Sequence, residues 1–199
     1  MNQRLQVKHT FCCLVHYEKR AFINQYHVTL DLVTACRDTE SQNIAMDRMV
    51  HMLHTVFADS VMIESTDIDQ IKLYRSAGLH VTTLPAEPVD QIICLMLYCK
   101  MNAVCENRLI VNSISLCSDH GDHVWYLHDD NESVGPFQEA GWWNDAAPSQ
   151  THPHHSGDTV VDLKIKSEWG KFDLDWPSDA AGNKDGQVVF AKFDRGNDQ

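Results

Sequence analysis

Histidine and carboxylate side chains alternate over one short stretch, Asp119-His120-Gly121-Asp122-His123, and recur at His128-Asp129-Asp130. Imidazole and carboxylate groups that lie close together around a turn suit a borderline ion such as zinc or nickel. The spacing therefore predicts a metal site that includes His120 and His123. The same residues also suit a polar hairpin turn between two strands, and this is the interpretation that we favour.

Two other groups contain residue types that can bind metal: a short histidine-rich tract and the cysteines. His152-Pro153-His154-His155 lies in a segment rich in Gly, Pro, Asn, Asp and Ser, where a solvated linker is the favoured interpretation. The seven cysteines all precede residue 118, and their number is odd. Because they lack the paired Cys-x2-Cys spacing of a zinc site, we interpret them as reduced thiols.

The charge of the chain narrows the classes of partner. The formal net charge is −12, and residues 128–199 contribute two-thirds of it, with 14 acidic against 6 basic side chains. This excess disfavours binding to nucleic-acid phosphates, which depends on Lys and Arg. No apolar run approaches the ~20 residues of a membrane span, and the first residues lack the apolar segment of a signal peptide. We therefore expect a cytoplasmic protein without a membrane partner.

Hydrophobic periodicity predicts the helices and strands that would position the candidate metal-binding residues. Apolar residues at helical spacing from Met46 to Phe57 predict a helix with Asn43 as its N-cap, and further helices are predicted at 68–77 and from Pro88. Alternating residues predict strands at 5–15, 26–32, 79–84, 110–117 and 124–127. The order ββ-α-(α)-βα-ββ indicates an α+β domain, with an antiparallel sheet and helices on one face.

A change in composition near residue 128 predicts the domain organisation. We expect a principal domain over 1–128, a linker over 129–158 and a small β-rich C-terminal extension over 159–199. The extension is short for an independent core and is expected to dock on the domain or on a neighbouring subunit. Trp142-Trp143 is predicted to anchor the linker to the domain, with stacking on a flat ring as the alternative.

Residues 43–93 carry a more specific pattern. A helix is followed by Ala58-Asp59-Ser60, an extended run that ends in Leu84-Pro85, and a helix that opens at Pro88. This order resembles the centre of the 6-pyruvoyl-tetrahydropterin synthase and 6-carboxytetrahydropterin synthase family, which runs helix, Leu-Asp-His, strand, Leu-Pro and Pro-Thr-x-Glu-Asn. The resemblance covers about residues 5–127. It implies the tunnelling fold, in which subunits pair sheet edges into a barrel, so a homo-oligomer is expected.

In that family one zinc is held by three histidines, two of them in a His-Gly-His-Asn-Tyr stretch. Phe22 and Asn24 stand where that pair would be, and Glu18 stands where the family has a proton-transferring cysteine. Phe22 cannot bind a metal, and a neutral Asn is a poor zinc ligand. In the Leu-Asp-His position, Asp59 is present and Ser60 replaces the histidine.

The family's ring-binding positions can be transferred in the same way. The helix-opening motif becomes Pro88-Val89-Asp90-Gln91-Ile92, and the glutamate that grips the pterin ring maps near Cys117 or Ser118, with Asp119 beside it. The resemblance thus implies one catalytic candidate, Asp59. It implies six ligand-binding candidates: Glu18, Asn24, Ser60, Gln91, Ser118 and Asp119.

The function that follows is that of a synthase-like protein without the zinc-binding histidines. We expect it to be inactive or repurposed, to need no cofactor, and to bind a pterin or purine-like ring at a subunit interface. One alternative is an active zinc-dependent pterin lyase whose ligands are His9, His16 and His27. Another is a structural or protein-binding module that uses its acidic tail to contact a partner.

Overall fold

The structure is a computed structural model that describes residues 3–146. The predicted extension at 159–199, the histidines at 152–155 and the end of the predicted linker lie outside the described residues. The strands are β1 (Arg4–Tyr17), β2 (Arg20–Thr34), β3 (Val61–Glu64), β4 (Val81–Leu84), β5 (Leu109–Ser118) and β6 (Tyr126–Asp129). The helices are α1 (Thr39–His51), α2 (Ile68–Ser76) and α3 (Asp90–Cys105). They confirm the predicted α+β class.

The six strands form one sheet in the order β4-β3-β1-β2-β5-β6. The long hairpin of β1 and β2 is paired from Arg4 with Val33 to Tyr17 with Arg20. The two residues of its turn, Glu18 and Lys19, both have positive φ, which gives the twist that a tight hairpin needs. β5 and β6 extend the sheet with antiparallel pairing.

Strand β3 is a departure from the sequence prediction. It pairs in parallel with both β1 and β4, so the sheet is mixed and the predicted antiparallel sheet is wrong at this edge. Val61, Met62 and Ile63 are all buried, because helices cover both faces of the sheet there. A strand buried on both faces shows no alternation of apolar and polar residues, which is why the pattern did not reveal it.

Helix α1 begins earlier than its apolar stripe. Asp38 is the N-cap, and its carboxylate accepts a hydrogen bond from the Ser41 N–H at 2.9 Å, so the prediction of Asn43 as the cap is wrong. The polar first turn, Thr39-Glu40-Ser41, contributes nothing to the periodicity that located the helix. At its other end α1 continues into a π-helical turn, Met52–Phe57.

The helices occupy both faces of the sheet. α1 and α3 pack on what we call the inner face, over residues that include Phe11, Tyr26, Leu30 and Leu116. Helix α2 packs on the opposite, outer face, where Ile71 lies against Val61, Ile63 and Val81. The prediction that all helices share one face is therefore wrong for α2. Among the described residues, no helix covers the rest of the outer face, which is formed by β1, β2 and β5.

The chain after β6 packs against the domain. It forms two short 3₁₀ turns, Gly135–Gln138 and Trp142–Asn144, and Phe137 is fully buried. The Trp142 indole N–H donates to the Thr83 carbonyl at 3.0 Å, which confirms the predicted anchoring. In the part of the chain that the structure describes, no helix is both long enough and apolar enough to cross a membrane.

Candidate functional site

A cleft of about 390 Å³ opens between the start of α3 and strand β6, on the inner side of the sheet edge. Its size falls within the range of about 300–1,000 Å³ that is typical of small-molecule sites. We call it the β6 cleft. Its lining combines an amide, a thiol, an imidazole, a carboxylate and a hydroxyl with apolar surface: Gln91, Cys94, Leu95, Tyr126, Leu127, His128, Glu132 and Ser133.

Gln91 is placed by the N-terminus of α3. Val89 is the extended N-cap residue, and Asp90 lies in the first turn, where a carboxylate interacts favourably with the helix dipole. The Asp90 carboxylate also accepts a short hydrogen bond of 2.6 Å from the Ser118 hydroxyl at the end of β5. This bond joins α3 to the sheet directly beside the cleft, and so fixes the position of Gln91.

His128 and Glu132 form a pair at the wall of the cleft. The His128 side chain is only 4% exposed, and its Nδ1 lies 3.3 Å from a carboxylate oxygen of Glu132. The Tyr98 ring meets the imidazole edge-on, with the centroids 4.5 Å apart. His128 Nε2 is buried and has no hydrogen-bond partner among the described residues. The carboxylate therefore orients the imidazole with Nδ1 as its donor.

Cys94 is the one thiol in the cleft lining, and its surroundings make it unreactive. Burial raises its pKa to about 12, and the negative charges of Asp90 and Glu132 act in the same direction. Its sulfur lies 3.8 Å from the Tyr126 carbonyl oxygen, to which the thiol donates. Because the thiolate is the nucleophilic form, Cys94 contributes packing and a weak donor to the cleft instead of covalent chemistry.

The β6 cleft can therefore bind a polar ring. The Glu132 carboxylate is an acceptor, the Gln91 amide is both a donor and an acceptor, and the partly buried Tyr126 offers a flat surface. Of these residues, sequence reasoning predicted only Gln91. It flagged His128 as part of a metal-binding stretch and did not identify Glu132. His128 lies in β6, and Glu132 follows it by four positions in the turn after the strand. This spacing is the signal that could have revealed their pairing.

Two of the other predicted ligand residues belong to a closed polar cluster. Asn24 and Ser118 are each 3% exposed on the inner face. The Asn24 side-chain oxygen accepts from the His120 N–H at 3.3 Å, and the Ser118 hydroxyl is bound to Asp90. Gly121 lies so close that a Cβ there would be 2.5 Å from a carboxylate oxygen of Asp90. These groups hold the loop after β5 in place, so they are structural in this conformation.

Asp119 points to the outer face, away from Ser118. Its carboxylate oxygen lies 3.2 Å from His27 Nε2, while His27 Nδ1 lies 3.1 Å from the Thr10 hydroxyl. These contacts form a hydrogen-bonded ladder across β1, β2 and the end of β5. Within one chain, Asp119 and Gln91 therefore lie on opposite faces of the sheet.

The remaining predicted residues lie in turns outside the β6 cleft. Asp59 follows the π-helical turn with a positive φ of 59°, and its N–H donates to the Cys12 carbonyl at 2.8 Å. Ser60 is fully buried and donates to the Phe57 carbonyl at 2.9 Å. Glu18 occupies the β1–β2 turn. The structure brings none of these three residues into the cleft lining.

The histidines proposed as zinc ligands are dispersed. His9 lies against His54 with ring centroids 4.1 Å apart, and burial lowers its pKa, with His54 acting in the same direction. His16 contacts the Tyr74 hydroxyl at 2.8 Å and Asp67 at 3.4 Å, whereas His27 is in the outer ladder.

His120 packs edge-on against Phe22, and His123 is exposed in the same loop. Among residues 3–146, no three His, Cys, Asp or Glu side chains converge as a metal site. Phe22 offers no ligand atom, and the Asn24 amide is a poor zinc ligand whose oxygen already accepts from the His120 N–H. The residues present therefore do not fit the zinc that the family resemblance implies.

Comparisons with known proteins give a likeness in overall arrangement. No protein-family model and no curated protein matches the chain. A solved structure of a catalytic-residue mutant of Plasmodium vivax 6-pyruvoyltetrahydropterin synthase aligns with a TM-score of 0.40 at 11% identity, covering 64% of this chain and 97% of that chain. Another structure of the Plasmodium vivax enzyme aligns with the same TM-score and coverage at 9% identity. Neither likeness identifies a ligand, a reaction or a site residue of this chain.

Proposed function

We propose that this chain is a ring-binding protein of the pterin-synthase type that does not perform zinc-dependent lyase chemistry, and that the β6 cleft holds a pterin or purine-like ring. The observation that supports this most directly is the convergence of Glu132, Gln91 and Tyr126 on one open cleft. The resemblance of residues 43–93 to the synthase family supports the choice of ring.

The chemistry of such a ring matches the lining. A pterin or guanine ring presents an amino group and an adjacent ring N–H on one edge, and both are donors. A carboxylate has two acceptor oxygens and can receive both hydrogens, as the Glu132 carboxylate would here. Gln91 would bind the adjacent carbonyl through its amide N–H. The Tyr126 ring would supply apolar contact to the flat face.

The absence of lyase activity is proposed from residue chemistry. Phe22 and Asn24 stand where the resemblance requires histidines, and Ser60 stands in place of the histidine that follows Asp59. The Asn24 oxygen is already bound to the His120 N–H, and the Ser60 hydroxyl to the Phe57 carbonyl. Neither side chain is arranged to hold a metal or to move a proton to or from a substrate.

A subunit interface next to the cleft forms part of the proposal. Strand β6 is at the edge of the sheet, and Leu127 at its centre is 74% exposed. An exposed edge strand is a template for pairing with another chain. A second copy that paired with β6 would lie beside Tyr126, Leu127 and His128, and would close the open side of the cleft.

The experiment compares two rings that differ at the recognised edge. Pterin carries a 2-amino group, and lumazine carries an oxygen there. Calorimetric titration of the full chain is expected to give binding of pterin at least about tenfold tighter than of lumazine, because the carboxylate would face an acceptor in lumazine. Glu132→Gln is expected to remove the preference. Glu139→Gln, which changes an exposed glutamate outside the cleft, is the matched control.

Two results would count against this function. One is equal affinity for pterin and lumazine in the unaltered chain. The other is a preference that persists in Glu132→Gln, which would place the ring elsewhere. Static light scattering on the same samples measures the subunit number with and without pterin, and a monomer at all concentrations would contradict the proposed interface.

A further inference from the structure

A second groove lies on the outer face of the sheet, on the opposite side from the β6 cleft. Its volume is about 360 Å³. Its floor is formed by neighbouring positions of β1 and β2, and the Trp125 side chain closes one side. We call it the outer groove, and its lining is Lys8, His9, Thr10, His27, Val28, Thr29 and Trp125.

The polar side chains of the outer groove are held in fixed positions. Thr10 and His27 are paired across β1 and β2 and contact each other at 3.1 Å. Asp119 lies 3.2 Å from the far nitrogen of the same imidazole. With its N–H directed at that carboxylate, the imidazole uses its other nitrogen to accept from the Thr10 hydroxyl. The floor therefore needs little reorganisation when a ligand binds.

Charge is distributed unequally along the groove. Lys8 is exposed at one end, opposite Thr29, and has no ion pair among the described residues. Asp119 is not part of the groove lining, but its carboxylate lies 3.2 Å from Nε2 of His27 in the groove floor. His27 and Thr29, the residue opposite Lys8, are two positions apart on β2, which corresponds to about 7 Å of strand. A bound anion would therefore be attracted to the Lys8 end and repelled by the Asp119 carboxylate.

Trp125 supplies the apolar part of the site. Its side chain is 49% exposed at the edge of the groove, so a large aromatic surface is available to a ligand. Indole favours stacked or edge-on contacts with other rings. An aromatic surface in the same groove as the Lys8 ammonium group is complementary to a flat ring that carries a negative charge.

We propose that the outer groove is a binding site for a small planar aromatic anion, whose ring contacts Trp125 and whose carboxylate or phosphate group lies at Lys8. This site is separate from the β6 cleft, because the polar side chains of its floor, Lys8, Thr10, His27 and Thr29, lie on the opposite face of the sheet. It uses no residue of the ring-binding function proposed above.

The test uses two pairs of probes that differ in charge. Nicotinate is compared with nicotinamide, and adenosine monophosphate with adenosine, by calorimetric titration of the full chain at low and moderate salt. The anion of at least one pair is expected to bind about tenfold more tightly than its neutral counterpart. Which pair shows the difference identifies a carboxylate or a phosphate ligand. The preference should weaken as salt is added.

Variants locate the site. Lys8→Gln is expected to equalise the anion and its neutral counterpart, and Trp125→Ala is expected to weaken both by about tenfold. Lys72→Gln removes an exposed lysine of α2, and Ile23→Ala removes a 71% exposed apolar side chain of the same sheet face, so these matched controls should retain full affinity. The inference is overturned if neither anion is preferred, or if the preference survives in Lys8→Gln.

Discussion

Lys100 and Trp142 connect helix α3 to the segment that follows β6. The Lys100 ammonium donates to the Trp142 carbonyl at 2.8 Å and lies 5.2 Å from the centroid of the same indole ring. It also donates to the Asp145 carbonyl at 2.7 Å. Since Trp142 donates in turn to Thr83, one buried lysine links α3, the 3₁₀ turn and strand β4.

The buried lysine should make stability depend on pH. Burial lowers the Lys100 pKa to about 7, and Asp145 opposes this shift. In the unfolded chain the pKa is about 10.4, so between these values the unfolded state binds a proton that the folded state has lost. The free energy of unfolding therefore rises with pH in this window, by about 1 kcal/mol per pH unit.

Lys100→Met removes the titrating group and is expected to lose this rise. Urea denaturation of both proteins at pH 7 and pH 9 should show the unaltered chain gaining about 2 kcal/mol relative to the variant. Lys72→Met, at an exposed position of α2, should follow the unaltered chain. If the free energies of unfolding of the unaltered chain and Lys100→Met differ by the same amount at both pH values, the lysine does not titrate in this window.

A methyl group at Gly121 should destabilise the loop after β5. A Cβ there would lie 2.5 Å from an Asp90 carboxylate oxygen and 3.0 Å from the Ser118 hydroxyl. Gly121→Ala is therefore expected to lower the free energy of unfolding by about 1–3 kcal/mol. In an Asp90→Ala background, Gly121→Ala should lower the free energy of unfolding by less, because the Asp90 carboxylate oxygen that the new Cβ would meet is absent. Equal costs in the two backgrounds, measured by urea denaturation, would show that Asp90 is not the obstacle.

Phe137 tests whether residues 129–146 are part of the folded domain. Its side chain is fully buried and meets the Trp143 ring edge-on, with centroids 5.3 Å apart. Phe137→Ala is expected to lower the free energy of unfolding by about 3 kcal/mol. The neighbouring exposed substitution Gln138→Ala should change it by less than about 0.5 kcal/mol. A Phe137→Ala effect as small as that of the control would favour an independent linker.

Hydrophobic periodicity in the sequence predicted the elements that have one buried face and one exposed face. β1 and β2 alternate clearly, because one face packs on α1 and α3 while most of the other is open. Val61–Glu64 has no such contrast, since α2 covers its outer face, and it was missed. The start of α1 was misplaced because Asp38 caps the helix through a local hydrogen bond that leaves no periodic signal.

The site was less predictable for two reasons. Ser118 and Asp119 are adjacent in sequence but lie on opposite faces of the sheet, so a difference of one position determines which ligand each could reach. Glu132 enters the β6 cleft only because the turn after β6 returns towards α3, which is a tertiary contact between distant segments. Gln91 was identified because it lies in a helix-opening motif that can be recognised locally.

Zinc content provides the final test of the zinc-dependent alternative. In the folded chain His9 lies against His54 on the inner face, whereas His27 is bound to Asp119 on the outer face. One ion cannot contact both side chains without rearrangement of the sheet, because neighbouring positions of paired strands alternate between its faces.

The untagged full chain, with His152, His154 and His155 changed to Ala, is therefore expected to retain well under one equivalent of zinc after dialysis. Adding a chelator should leave its free energy of unfolding unchanged. One tightly held zinc per chain that is lost in His9→Ala or His27→Ala would instead establish the zinc-dependent alternative.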